Sequence, residues 1–118
     1  MAYYTEFELN NLGFKSLGKG VKISDKASIY NHDQIEIGDS SRVDDFCIIS
    51  GKIKIGKSVH ITPMCLVAGG EMGIVFEDFT TIAYGVQIFT QSDDYSGSSM
   101  VNSTIPSRYK KEYKKEVV

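Results

Sequence analysis

The sequence predicts an all-β fold, a parallel solenoid of short strands wound into stacked coils, and three observations lead there. An aliphatic residue recurs every six positions through Ile37, Val43, Ile49, Ile55, Ile61 and Val67. Ser41, Cys47, Ile53, Val59 and Cys65 each stand two positions before the next of these, so pairs of inward residues bracket one outward residue. Three residues separate the pairs, and in Gly38-Asp39-Ser40 and Gly56-Lys57-Ser58 they have the composition of a turn. Neither the 3.6-residue period of a helix nor the two-residue alternation of a plain strand produces this spacing, whereas a six-residue repeat does.

In Ser41-Arg42-Val43 and Val59-His60-Ile61 the outer residues face inward and the middle one outward. Three hexads close one triangular coil of eighteen residues, and coils then stack at roughly the 4.7–4.9 Å of paired strands. The expected register sets Ile37 beneath Ile55, Val43 beneath Ile61 and Ile49 beneath Val67. Each such side chain contributes about 1.5–3 kcal/mol if fully buried, so the inward columns supply a core without helices. Gly38 and Gly56 are expected where a corner needs a backbone conformation other residues avoid, and Asp44-Asp45 and Lys57-Ser58 read as ordinary corner residues. As neighbours on a turn, Asp44 and Asp45 should diverge rather than form a carboxylate dyad.

The chain divides into an N-terminal cap (1–20), coils (21–88) and a loop with a tail (89–118), all within one domain of 1–118. Thr5-Glu6-Phe7-Glu8 is a capping box, flanked by Tyr4 and Leu9 at staple spacing. With Gly13 as the stop, a helix over residues 6–12 is expected, and Phe7, Leu12, Phe14 and Leu17 are available to plug the open end of the solenoid. Repeats begin at Ile23 and Ile29, then slip by two residues through the corner Asn31-His32-Asp33. After Val67 the stretch Ala68-Gly69-Gly70-Glu71-Met72-Gly73 adds three residues and the period resumes at Phe76, Ile82 and Ile88, with Thr80 and Val86 inward. No helix pattern follows these glycines and no lysine stands at P-loop spacing, so they read as a bulged turn. Beyond Ile88 the period disappears into Thr90-Gln91-Ser92-Asp93-Asp94-Tyr95-Ser96-Gly97 and a lysine-rich segment of mixed charge.

A net charge of −2 over 118 residues gives no general electrostatic reason to bind nucleic acid or an acidic membrane. No apolar run has the length of a membrane span, and the N-terminus shows no basic stretch followed by an apolar one, so a cytoplasmic location is expected. Cys47 and Cys65, eighteen apart, should stack inside successive coils as free thiols; their column contains no histidine, so no metal site is expected. Ile48 and Leu66, also eighteen apart, form an outward apolar column that a partner subunit would cover. His60 faces outward above Arg42, where a surface or interface histidine is the first reading and a catalytic or acceptor-orienting one the alternative, while His32 on the corner loop carries no assignment.

The hexapeptide run, the short N-terminal helix and the excursion after a late coil resemble the left-handed β-helix acyltransferases. Among these the chain is similar to sugar O-acetyltransferases and, through Arg42-Val43-Asp44-Asp45-Phe46, Val59-His60-Ile61 and Ser92-Asp93-Asp94-Tyr95-Ser96-Gly97, to acetyltransferases of polysaccharide and antigen gene clusters. The resemblance implies a left-handed parallel β-helix, against the usual right-handed crossover. It also implies a homotrimer, with acetyl-CoA as donor and a sugar or nucleotide-sugar acceptor acetylated on a hydroxyl or amine in a cleft between subunits. Its histidine base lies five or six residues past the last aliphatic position, where this chain has Asp93 and Asp94. A carboxylate is a weak base for a hydroxyl, so the departure favours an amine acceptor or a carboxylate that positions substrate. Asp93, Asp94 and His60 are thus the expected catalytic residues, with Tyr95 and Arg42 expected at the substrate; no residue is assigned to CoA. The competing expectation is an assembly subunit or inactive remnant, because every aliphatic hexad position precedes the excursion and none follows it.

Overall fold

Twelve two- or three-residue strands, four coils of three, make up the body of the molecule in a computed structural model that describes residues 2–90. The strands are β1 (Ser16–Leu17), β2 (Lys22–Ile23), β3 (Ser28–Ile29), β4 (Ile35–Ile37), β5 (Arg42–Val43) and β6 (Ile48–Ser50), followed by β7 (Ile53–Ile55), β8 (His60–Ile61), β9 (Leu66–Ala68), β10 (Ile74–Phe76), β11 (Thr81–Ile82) and β12 (Gln87–Phe89). They form three parallel four-stranded sheets, β1-β4-β7-β10, β2-β5-β8-β11 and β3-β6-β9-β12. This is the parallel β-solenoid that the six-residue period predicts.

Register follows the repeat. Ile37 pairs with Ile55, Val43 with Ile61 and Ile49 with Val67; the next coil sets Phe76 on Ile55, Ile82 on Ile61 and Ile88 on Val67. The two extra residues at Asn31–Gln34 become a short 3-10 turn, so Ile23 still lies beneath Val43 and Ile29 beneath Ile49. The inward side chains of these columns form one buried cluster, including Ile53, Val59, Cys47 and Cys65. Thr80 and Val86 are half-buried, the top coil being less enclosed.

The corners correct one expectation. Gly38 and Gly56 do not adopt left-handed backbone; an added Cβ at Gly38 would lie 2.5 Å from the Gly56 carbonyl oxygen, so glycine is required by close stacking of successive corners. The left-handed residue comes two places later, just before the first inward side chain, and it is usually not glycine: Ser40, Phe46, Ser58, Met64 and Phe79 have φ between 51° and 69°. Each of their amides donates to a corner carbonyl one coil below, as Ser58 does to Asp39 at 2.8 Å and Phe79 to Lys57 at 2.8 Å. These bonds offset a strain of about 1–3 kcal/mol per residue.

At the N-terminus the capping box is present: the Glu8 amide donates to Thr5 Oγ1 and the Thr5 amide to Glu8 Oε1. The helix α1 (Glu6–Asn10) is shorter than the predicted 6–12, ending in a cap at Asn11. Leu9 is its one buried residue, and Phe7 faces solvent instead of joining the plug. Tyr4, Leu12, Phe14 and Leu17 do pack against the core, and Tyr3 bridges Ser24, covering the lower edge of β2.

Candidate functional site

The second sheet (β2, β5, β8, β11) positions the candidate site on its outer surface. Parallel pairing in register stacks Lys22, Arg42, His60 and Thr81 in one outward column. Asp44 follows β5 at the corner, and its backbone amide donates to the Ile61 carbonyl at 3.0 Å, which fixes it against the coil above. Its side chain turns toward the column instead of solvent. Arg42 Nε donates to Asp44 Oδ1 at 2.9 Å and Nη2 to Oδ2 at 3.3 Å, while His60 Nε2 lies 2.7 Å from Asp44 Oδ2.

His60 Nε2 is also 3.1 Å from Arg42 Nε. An unprotonated Nε2 would point its lone pair at a carboxylate oxygen, so the arrangement that satisfies all three groups has Nε2–H donating to Asp44 and the Arg42 Nε–H directed at Oδ1. The imidazole lone pair is then on Nδ1. Burial would push the Asp44 carboxyl pKa up, but hydrogen bonds from His60 and Arg42 together with the positive charge of Arg42 outweigh it and hold the group below its ordinary value. The same pairing raises the Arg42 pKa. A buried ionised carboxylate, a guanidinium and an imidazole of fixed tautomer form a preorganised set able to bind an anion, orient a hydroxyl or amine, or accept a proton at Nδ1.

The sequence-predicted residues divide accordingly. Arg42 and His60 are brought together, as their shared column required. Asp44 corrects the corner reading: it is buried and holds both of them, while Asp45 diverges from it and accepts from Ser24 Oγ. The signal for Asp44 was available in Arg42-Val43-Asp44 with His60 eighteen places after Arg42, because the residue after an inward position can reach the outward column of the next coil. Asp93, Asp94 and Tyr95 lie outside the described residues. His32 packs edge-on against Phe14, ring centroids 5.1 Å apart. The thiols of Cys47 and Cys65 are buried and free, donating to the Thr62 carbonyl at 3.1 Å and the Ala83 carbonyl at 3.2 Å.

Beside this surface, the corner leading to the third sheet (β3, β6, β9, β12) carries exposed Phe46, Met64 and Tyr84. Past that corner Ile48 is exposed and Leu66 half-buried, paired with each other in the ladder. No described group of three or more histidine, cysteine, aspartate or glutamate side chains could hold a metal ion. No described helix is long and apolar enough to cross a membrane.

No protein-family model matches the chain. It is 42% identical over 112 residues to a dTDP-4-amino-4,6-dideoxy-D-glucose acyltransferase of Escherichia coli, covering 92% of this chain and 58% of that protein. The chain belongs to the hexapeptide-repeat acyltransferases. Among solved structures it matches AntD, an N-acyltransferase from Bacillus cereus in complex with dTDP and 3-hydroxybutyryl-CoA, at 46% identity and a TM-score of 0.78, over 93% of this chain and 59% of that one. A variant of AntD in complex with dTDP-4-amino-4,6-dideoxyglucose and coenzyme A matches at 47% identity and a TM-score of 0.77. The bifunctional protein GlmU of Thermoanaerobacter pseudethanolicus is 32% identical over 75 residues, 64% of this chain and 16% of that protein. The chain thus spans less than two thirds of the length of these relatives.

Proposed function

We propose that this hexapeptide-repeat chain serves an acyl-CoA-dependent sugar N-acyltransferase, moving an acyl group from a CoA thioester to the amine of a dTDP-linked amino sugar. The observation that carries it is identity above 40% over nearly the whole chain to proteins that act on, or are bound to, such a sugar and CoA. Asp93 and Asp94, where the resemblance has a histidine, agree with an amine acceptor, which is nucleophilic without deprotonation of a hydroxyl.

The sugar nitrogen attacks the thioester carbonyl, the C–N bond forms, the C–S bond breaks, and CoA leaves as thiolate. The proton released from nitrogen passes to a base and is returned to sulfur. Asp93 or Asp94 is assigned the role of base and Tyr95 that of an acceptor contact, as the resemblance implies. His60, its lone pair on Nδ1 and its ring held by Asp44, is the second base and works with Arg42 to orient the acceptor. Acetyl-CoA is the simplest donor, and 3-hydroxybutyryl-CoA in AntD marks the larger acyl groups to compare with it.

A homotrimer through the Ile48 and Leu66 face would cover that apolar column and enclose the cleft between neighbouring subunits. Two buried free thiols agree with a reducing cytoplasm, and an acylated nucleotide sugar is a fitting precursor for a surface polysaccharide. Free thiol released on mixing the protein with acetyl-CoA and dTDP-4-amino-4,6-dideoxyglucose tests the reading. Release that requires the sugar supports it; no release with acetyl-CoA or with 3-hydroxybutyryl-CoA would leave the assembly subunit as the function.

A further inference from the structure

The three outer surfaces of the solenoid differ in charge. On the first sheet the column Ser16-Glu36-Lys54-Val75 mixes signs, with Glu36 also bridged to Lys15 at 3.8 Å. On the third, Ser28-Ile48-Leu66-Gln87 and Ser50-Ala68-Phe89 carry no formal charge. On the second, Lys22, Arg42 and His60 follow one another on consecutive rungs with Thr81 above, in a chain whose net charge is −2. Strand pairing sets neighbouring rungs at roughly 4.7–4.9 Å, within the span of two linked phosphate groups.

Asp44 offsets the charge of Arg42 without using up its donors. Its carboxylate is buried and occupies the Nε–H and one Nη2–H of Arg42, leaving the rest of the guanidinium's five N–H groups for another acceptor. The fork is therefore held in place before any ligand arrives, the geometry that favours recognition of phosphate. Lys22 Nζ stands 5.8 Å from the centre of the Tyr3 ring, which keeps it near the column's lower end.

We infer that Lys22 and Arg42 form a recognition site for a nucleotide diphosphate, with Asp44 as the positioning residue for the guanidinium. The inference rests on the proposed function, because that reaction has two substrates with this chemistry: the dTDP group of the acceptor and the diphosphate of CoA. Of the two cations, the fixed guanidinium fork gives the directional contacts and the flexible ammonium adds charge and reach.

The test is calorimetric titration of the full chain with dTDP and, separately, with coenzyme A, for the wild type, Arg42→Gln and Lys22→Glu. Lys22 is exposed and outside the Asp44 network, so that variant reports on the column even if Arg42→Gln perturbs folding. The site predicts at least tenfold weaker binding of one nucleotide in Arg42→Gln and several-fold weaker binding of the same one in Lys22→Glu, with affinity falling as salt rises. Loss confined to dTDP assigns the column to the acceptor, and loss confined to coenzyme A assigns it to the donor. If the wild type binds and neither variant is weakened, the column is not the site although the proposed function stands. If the wild type binds neither nucleotide, both fall.

Discussion

Asp44 is the residue on which the site depends, and its environment predicts its behaviour. Replacing it by alanine leaves His60 Nε2 and Arg42 Nε without their shared acceptor, and both side chains can turn to water. The expected loss of stability is therefore about 1–3 kcal/mol, measured by chemical denaturation. The sign of its pH dependence follows from a lowered folded-state pKa: its stabilisation is complete above the ordinary carboxylate value, about 3.9, and disappears as pH falls through the lower folded value. The stability gap between wild type and Asp44→Asn should accordingly be constant near neutrality and close in acid; a gap that widened in acid would contradict the ionised, doubly bonded carboxylate. Cys47 and Cys65 make a second residue-level prediction. Burial raises the Cys47 thiol pKa, so native protein should resist thiol reagents, while denatured, unreduced protein should titrate two thiols. Finding none after denaturation would mean the two are bridged.

At the scale of the element, the strands were legible and the corners less so. The inward columns could be read from Ile37 to Val67 because burial repeats with the period itself, and the strand register followed without further information. The corners escaped because two constraints act there on different residues: stacking demands glycine at Gly38, while the left-handed turn two places later tolerates Ser40 at a cost. Asp44 escapes a sequence reading for a related reason, since a corner residue looks solvated in one coil until the next coil is placed above it. A consequence is measurable. Gly38→Ala drives a Cβ into the Gly56 carbonyl and should cost about 1–3 kcal/mol or more, whereas Ser58→Gly, which relieves a left-handed φ of 51° at an exposed corner, should be neutral or slightly stabilising. Reversal of that order in thermal unfolding would show that the corners are not stacked as described. Hydrophobicity alone points Phe7 to the plug; the short helix buries one side chain, and Leu9 takes that place.

For the whole molecule, the fold, the Arg42 and His60 column and the family were legible in the sequence, whereas Asp93, Asp94 and Tyr95 belong to a stretch without a repeat to place them. Exposed Ile48 beside half-buried Leu66, next to Phe46 and Met64 at the corner, is the surface we propose for self-association. Ile48→Asp with Leu66→Asp should convert the proposed trimer to monomer in sedimentation velocity, and a wild type already monomeric at micromolar concentration would remove the basis for that interface. The central claim is chemical: a CoA-borne acyl group ends on a sugar nitrogen. Mass spectrometry of the sugar after incubation with acetyl-CoA measures it most directly, using dTDP-4-amino-4,6-dideoxyglucose alongside the analogue with a hydroxyl in place of the amine. The account predicts a mass gain of one acetyl group on the amino sugar, stable to mild base as an amide is, and none on the hydroxyl analogue. Acetylation of the hydroxyl analogue as an ester, with the amino sugar left unmodified, would contradict it.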